Sequence, residues 1–61
     1  MFYLHICIDG DVAGTTQSQT APFVPRLTDK IRLEEFRFRV IEVEIEYTPH
    51  GTEIYVHLER L

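Results

Sequence analysis

Residues 36–47 read FRFRVIEVEIEY, and this stretch decides the fold. Its large apolar side chains occupy even positions as far as Val40 and odd positions from Ile41 onward. Successive side chains of a β-strand point to opposite faces, so each half of the stretch predicts a strand with one face on a core. The change of phase predicts a β-bulge or a sharp bend at Val40 and Ile41.

A shorter apolar alternation precedes this long strand. A tight turn at residues 34–35 places Ile31 opposite Phe38 and Leu33 opposite Phe36. The Glu-Glu pair is a poor turn sequence, because two-residue hairpin turns prefer Gly or Asn. The register nevertheless aligns two apolar pairs and predicts a hairpin.

A second turn follows at residues 48–51, which read TPHG. Proline and glycine favour a turn here, and Tyr47 then lies opposite Thr52. The register that results sets three apolar pairs in line: Ile45 with Ile54, Val43 with Val56, and Ile41 with Leu58. Cross-strand apolar pairs of this kind predict a stable hairpin.

The first part of the chain combines one strand signal with a long polar stretch. Residues 2–8 alternate apolar and other side chains and predict a strand. Residues 10–25 contain Gly, Thr, Gln, Ser and two prolines without apolar periodicity, and they predict one long loop. We expect Phe23 and Val24, which lie between the prolines, to close one end of the core.

Together these elements predict an all-β fold, a small antiparallel barrel of four or five strands with one long loop after the first strand. An amphipathic helix is the alternative for residues 33–47, because several apolar residues there also follow heptad spacing. The density of Val, Ile, Phe and Tyr favours strands.

Residues 25–47, in which a proline and a polar turn lead into a short strand and a long bent one, resemble SH3-like barrels, including short phage and bacterial proteins. The resemblance implies that the chain is a binding module, but it assigns a function to no particular residue.

Length and composition limit the class of protein. The chain has 61 residues, which is room for a single domain, 1–61, of marginal stability. Its one cysteine, Cys7, cannot form an intramolecular disulfide, which favours a reducing, cytoplasmic setting and makes a homodimer the expected source of extra stability. No secretion signal or membrane-spanning run is evident, so we expect no membrane partner.

No motif in the sequence indicates catalysis, a cofactor or a metal ion. His5 and Cys7 lie two residues apart on one predicted strand, and His57 and Glu59 do so on another. Such pairs are close enough to share a metal ion, but they are more often outward positions of strands. The glycines form no phosphate-binding loop, and a nucleophile beside a base is not apparent. We therefore expect a protein that is not an enzyme, with no cofactor and no metal site.

Charge distribution provides the best functional candidate. The net charge is -4, yet five of the six basic residues lie between residues 26 and 39. In the predicted hairpin Lys30 faces Arg39 and Arg32 faces Arg37, so four cations share the face away from the core. Facing like charges are unfavourable, which indicates a partner that neutralises them unless neighbouring glutamates do so.

The nature of that partner is open at this stage. We expect a protein, bound by a non-catalytic interaction module that acts as an inhibitor or accessory factor of the phage or mobile-element type. Nucleic acid is the second candidate, and the net acidic charge makes it less favoured. Tyr55 projects among polar residues and is a candidate interface anchor. The acidic residues Glu42, Glu44 and Glu46 are either a solvated face or a complement to the basic residues of a second copy.

Overall fold

The computed structural model describes all 61 residues and contains five strands and no helix. The strands are β1 (Phe2–Ile8), β2 (Asp11–Ser18), β3 (Lys30–Leu33), β4 (Phe36–Thr48) and β5 (Gly51–Arg60). They form one sheet in the order β2-β1-β5-β4-β3. The expected all-β fold is confirmed, but the sheet is mixed, because β1 runs parallel to β5 while the other pairs are antiparallel. The sheet curls into a half-barrel in which β2 and β3 are unjoined edges.

The change of phase in β4 is a β-bulge, as the sequence predicts. The register between β4 and β5 shifts between Val40 and Glu42, so Ile41 has no partner. Val40 therefore pairs with Leu58, and the predicted pairing of Ile41 with Leu58 is wrong. The extra residue lets Val40 and Val43 face the same core although their positions differ in parity.

The core lies on one face of the curled sheet. Its buried residues are Phe38, Val40, Ile54, Val56 and Leu58, and Val40 and Val56 are fully enclosed. The even-numbered apolar residues of β1 pack against this cluster, together with Val24, Ile31 and Val43. Cys7 is the sixth buried residue of the chain. Six buried residues make a small core for 61 residues, as the length predicts.

The predicted loop of residues 10–25 is wrong over half its length, because residues 11–18 form the edge strand β2. Seven of its eight residues are exposed, so no apolar face marks it in the sequence. Its backbone ladder with β1 holds it in place. Phe23 does not close the core either, since it is 85% exposed, whereas Val24 does pack against the core cluster.

Both predicted hairpin turns are present. Ile31 pairs with Phe38 and Leu33 with Phe36, and Glu34 adopts a positive φ of 58° to complete the tight turn. At the second turn Tyr47 pairs with Thr52, and the Thr48 hydroxyl donates a hydrogen bond of 2.9 Å to the Gly51 carbonyl oxygen. The first of these hairpins places Lys30, Arg32, Arg37 and Arg39 at the β3 edge of the sheet.

Candidate interaction surface

Four basic side chains lie together on the hairpin of β3 and β4. Lys30 is directly opposite Arg39, and Arg32 is directly opposite Arg37, as the sequence register predicts. Ile31 lies between two of them on β3 and Phe38 between the other two on β4, and both face the core. The basic groups therefore project from the other face of the sheet. Three of the four are exposed and Arg39 is half-buried. We call Lys30, Arg32, Arg37 and Arg39 the basic face.

No carboxylate neutralises the basic face within the chain. The two salt bridges of the structure both involve histidines, and none of the six lysine and arginine side chains has a carboxylate oxygen within 4.0 Å. Glu59 lies opposite Arg39 in the ladder without forming such a bridge. Arg60 instead lies over the ring of Phe36, 4.1 Å from its centroid. The predicted alternative, that neighbouring glutamates neutralise the cations, therefore has no ion pair to support it.

Tyr55 lies outside the basic face. It is half-buried on β5, where its ring stacks on His5 with centroids 4.6 Å apart and an interplanar angle of 20°. His5 is fixed in turn, because its Nε2 lies 2.6 Å from Glu53 Oε1 and its Nδ1 lies 2.8 Å from Thr15 Oγ1. Partial burial and the nearby Glu53 carboxylate raise the pKa of Tyr55. The predicted anchor thus belongs to a histidine and glutamate cluster rather than to the four cations.

A second polar cluster lies beside this one and was missed by the sequence analysis. His57 Nε2 lies 2.7 Å from Glu44 Oε1, and Glu42 is the ladder partner of His57. The sequence indicates pairs along one strand, such as His57 with Glu59, whereas this group forms across β4 and β5. Cys7 pairs with His57 on the other side, and burial together with the Glu44 carboxylate raises the pKa of its thiol.

The outer edge of β4 is open beyond the basic face. β3 pairs only with residues 36–39, and Thr28 and Asp29 continue the backbone hydrogen bonds at Val40. No backbone bond covers this edge from residue 41 to residue 48. Ile45 and Tyr47 of this segment are 53% and 82% exposed, and an apolar groove of about 570 Å³ runs beside its first residues.

Comparison with known proteins identifies no relative of this chain: no family model, no curated protein and no solved structure matches it. The structure contains no helix long and apolar enough to cross a membrane.

Proposed function

We propose that this chain is a small, non-catalytic protein-interaction module of the SH3-like barrel type, acting in the cytoplasm as an inhibitor or accessory factor of phage or mobile-element origin. Its partner is a protein that presents an acidic surface to the basic face. The observation that supports this proposal is the pairing of four cations across two strands with no carboxylate within 4.0 Å.

The energetic argument starts from the cost of this arrangement. Like charges directly opposite each other on neighbouring strands destabilise a hairpin, by up to about 1 kcal/mol per pair. The fold gains nothing from the repulsion between Arg32 and Arg37. Carboxylates of a partner would turn the same groups into favourable contacts and would also accelerate association through electrostatic steering.

The outer edge of β3 extends the same surface. As an edge strand, β3 carries backbone donors and acceptors that no other strand of this sheet uses. An extended acidic segment of the partner could add to this edge by β-augmentation, with its carboxylates next to Lys30 and Arg32. Backbone pairing would supply affinity, and the charges would supply specificity.

The test is capture of partners from a nuclease-treated bacterial lysate by the tagged chain and by three single charge reversals. Arg32→Glu and Arg37→Glu change the basic face, and Arg26→Glu is the matched control in the exposed segment before β3. We expect a stoichiometric protein to bind the wild type and the control, and to bind each face variant on the order of tenfold more weakly or less. Equal capture by all four proteins would reject the basic face.

Nucleic acid is the other outcome of the same experiment. Phosphate binding would disappear after nuclease treatment, and its affinity would fall linearly in log salt concentration. It is the less favoured candidate, because Phe36 and Phe38 alternate with the basic residues of β4 and so point away from the four cations, where they cannot stack on bases.

A further inference from the structure

The open edge of β4 contains a segment that a short strand can fill. Beyond the groove at residues 41–43, residues 44–47 make no backbone hydrogen bond outside the β4–β5 ladder. Glu44 and Glu46 are exposed on the polar face of the sheet. Ile45 and Tyr47 lie on the opposite face and are exposed as well. A strand that fits this segment has four residues in which basic and apolar side chains alternate.

The chain itself contains such a strand, β3, which reads KIRL. Lys30 and Arg32 lie on the polar face, while Ile31 and Leu33 lie on the face of the core. The inner edge of β3 pairs with residues 36–39 of β4, and its outer edge has no partner strand. Each molecule therefore carries a basic strand and an acidic segment of equal length on the same edge of its sheet.

A twofold axis perpendicular to the sheet brings these two segments together. Such an axis reverses the strand direction in the second copy but keeps its polar face on the same side. β3 of the second copy, which is antiparallel to its own β4, then runs parallel to β4 of the first copy. A twofold axis in the plane of the sheet would instead turn the faces over and place the basic side chains on the apolar side of β4. The charges therefore select the perpendicular axis.

The parallel register aligns two pairs of opposite charge and two apolar pairs. They are Lys30 with Glu44, Arg32 with Glu46, Ile31 with Ile45, and Leu33 with Tyr47.

The same pairing offsets repulsion that each copy carries alone. Arg32 faces Arg37 in the β3–β4 ladder, and Glu46 faces Glu53 in the β4–β5 ladder. The twofold axis forms the contact twice, once from each copy, so both edges are used and the assembly closes at two molecules.

We propose that two copies of this chain form a closed dimer in which β3 of each copy adds to residues 44–47 of the other. Each of the two seams is only four residues long, so we expect a dissociation constant in the micromolar range. The dimer uses the chain's own edges and does not rest on the proposed function. It covers Lys30 and Arg32, so a second copy and the proposed protein partner compete for the basic face.

Two single charge reversals test the seams by sedimentation velocity of the purified full chain in low salt. Arg32→Glu and Glu46→Lys each place like charges in both seams of their own dimer. Each also replaces a like-charge pair within its own ladder by an opposite-charge pair, so neither variant should lose stability. We expect the wild type to dimerise and each variant alone to dimerise at least about tenfold more weakly.

An equimolar mixture of the two variants separates the seams from any general effect of charge. In a mixed dimer, one seam pairs Arg32 with Glu46 as in the wild type, and the other pairs the introduced carboxylate with the introduced lysine. The mixture should therefore dimerise like the wild type although neither variant does so alone. Asp11→Lys reverses a carboxylate on the opposite edge strand, β2, and as the control it should also dimerise like the wild type.

Three results would overturn this dimer. They are a wild type that stays monomeric at every concentration, a single reversal at residue 32 or 46 that dimerises like the wild type, and a mixture that stays monomeric. Growth beyond two molecules with rising concentration would show head-to-tail pairing and would overturn the closed arrangement. No other protein is present in this experiment, so its failure is distinct from failure of the lysate capture that tests the proposed function.

Discussion

Gly51 is the residue whose identity the backbone requires most strictly. Its φ of +149° lies in a region that side chains rarely adopt, and an added Cβ would overlap the carbonyl oxygen of Met1. That oxygen accepts a hydrogen bond of 3.0 Å from the Thr52 amide, which ties the N-terminus to β5. The glycine is therefore needed both for the backbone conformation of the turn and for the close approach of Met1 at the start of the parallel β1–β5 pair.

We expect Gly51→Ala to lower the free energy of unfolding by about 1–3 kcal/mol, measured by urea denaturation. Gly14→Ala is the control, because a Cβ there meets no atom within 4 Å, and its effect should stay within about 0.5 kcal/mol. Similar losses in the two variants would contradict the role assigned to Gly51.

Val56 illustrates how much stability a single core residue supplies in so small a protein. It is fully buried beside Val40 and Leu58. Removing two methyl groups costs about 0.8 kcal/mol each plus a cavity term, so Val56→Ala should lose about 2 kcal/mol in the same assay. Val12→Ala, at a valine that is 54% exposed, should lose less than about 0.5 kcal/mol. A difference smaller than 1 kcal/mol between them would be inconsistent with this core.

At the level of elements, the bulge in β4 accounts for the irregular alternation of the sequence. Deleting Ile41 leaves FRFRVEVEIEY, in which apolar and polar residues alternate without interruption. We expect this variant to fold without the bulge. Val40 should still pair with Leu58, and Glu42, now the next residue of the chain, should still pair with His57. Cross-strand nuclear Overhauser contacts between β4 and β5 would measure the new register.

Deleting Val43 is the matched control for the bulge. It also shortens β4 by one residue, but an unbulged ladder would then turn the Glu42 carboxylate toward the apolar face. Burying an unpaired carboxylate is costly, so this variant should be markedly less stable than the Ile41 deletion. Equal stability of the two deletions would show that the register does not depend on the apolar pattern.

The β3–β4 hairpin should gain stability when its charge repulsion is removed. Arg32→Glu places a carboxylate opposite Arg37, and an opposite-charge pair there is worth roughly 0.2–1 kcal/mol. We expect the free energy of unfolding to rise by a few tenths of a kcal/mol in low salt, while partner capture falls. A loss of stability in Arg32→Glu would mean that the facing cations are already neutralised in the free chain.

These elements differ in how far the sequence predicts them. The alternation in β1, β4 and β5 identifies strands that bury one face. Apolar pairing predicts the register of both hairpins as far as the bulge, beyond which Val40 and not Ile41 pairs with Leu58. β2 could not be found this way, because a polar edge strand with two exposed faces has no apolar period. The parallel pairing of β1 with β5 joins distant residues, so no turn indicates it, and the grouping of Glu44 with His57 becomes visible only across the ladder.

At the scale of the whole molecule, the sheet is an open half-barrel whose core is only partly covered. Six residues are buried, whereas ten large apolar side chains remain exposed. Two of them, Ile45 and Tyr47, lie on the open edge of β4, which offers unpaired backbone groups. Exposed apolar edges favour pairing with another chain, so we expect self-association at this edge.

Charge indicates which strand of a second copy fits there. Two β4 edges placed side by side would bring glutamates 42, 44 and 46 of both copies together, which is unfavourable. β3 of the second copy alternates Lys30 and Arg32 with Ile31 and Leu33, so its basic and apolar side chains match the acidic and apolar ones of β4. A dimer of this kind should weaken as salt screens the charges.

Sedimentation velocity of Ile45→Lys and Val12→Lys tests this arrangement. An added lysine blocks edge pairing, and the two positions lie on strands at opposite sides of the sheet, β4 and β2. We expect a concentration-dependent dimer for the wild type and Val12→Lys, and a monomer for Ile45→Lys. Loss of the dimer in Val12→Lys alone would assign the interface to β2, and a wild type that stays monomeric at all concentrations would contradict self-association, because the exposed apolar side chains and unpaired backbone groups of β4 would then not be sufficient to pair two copies.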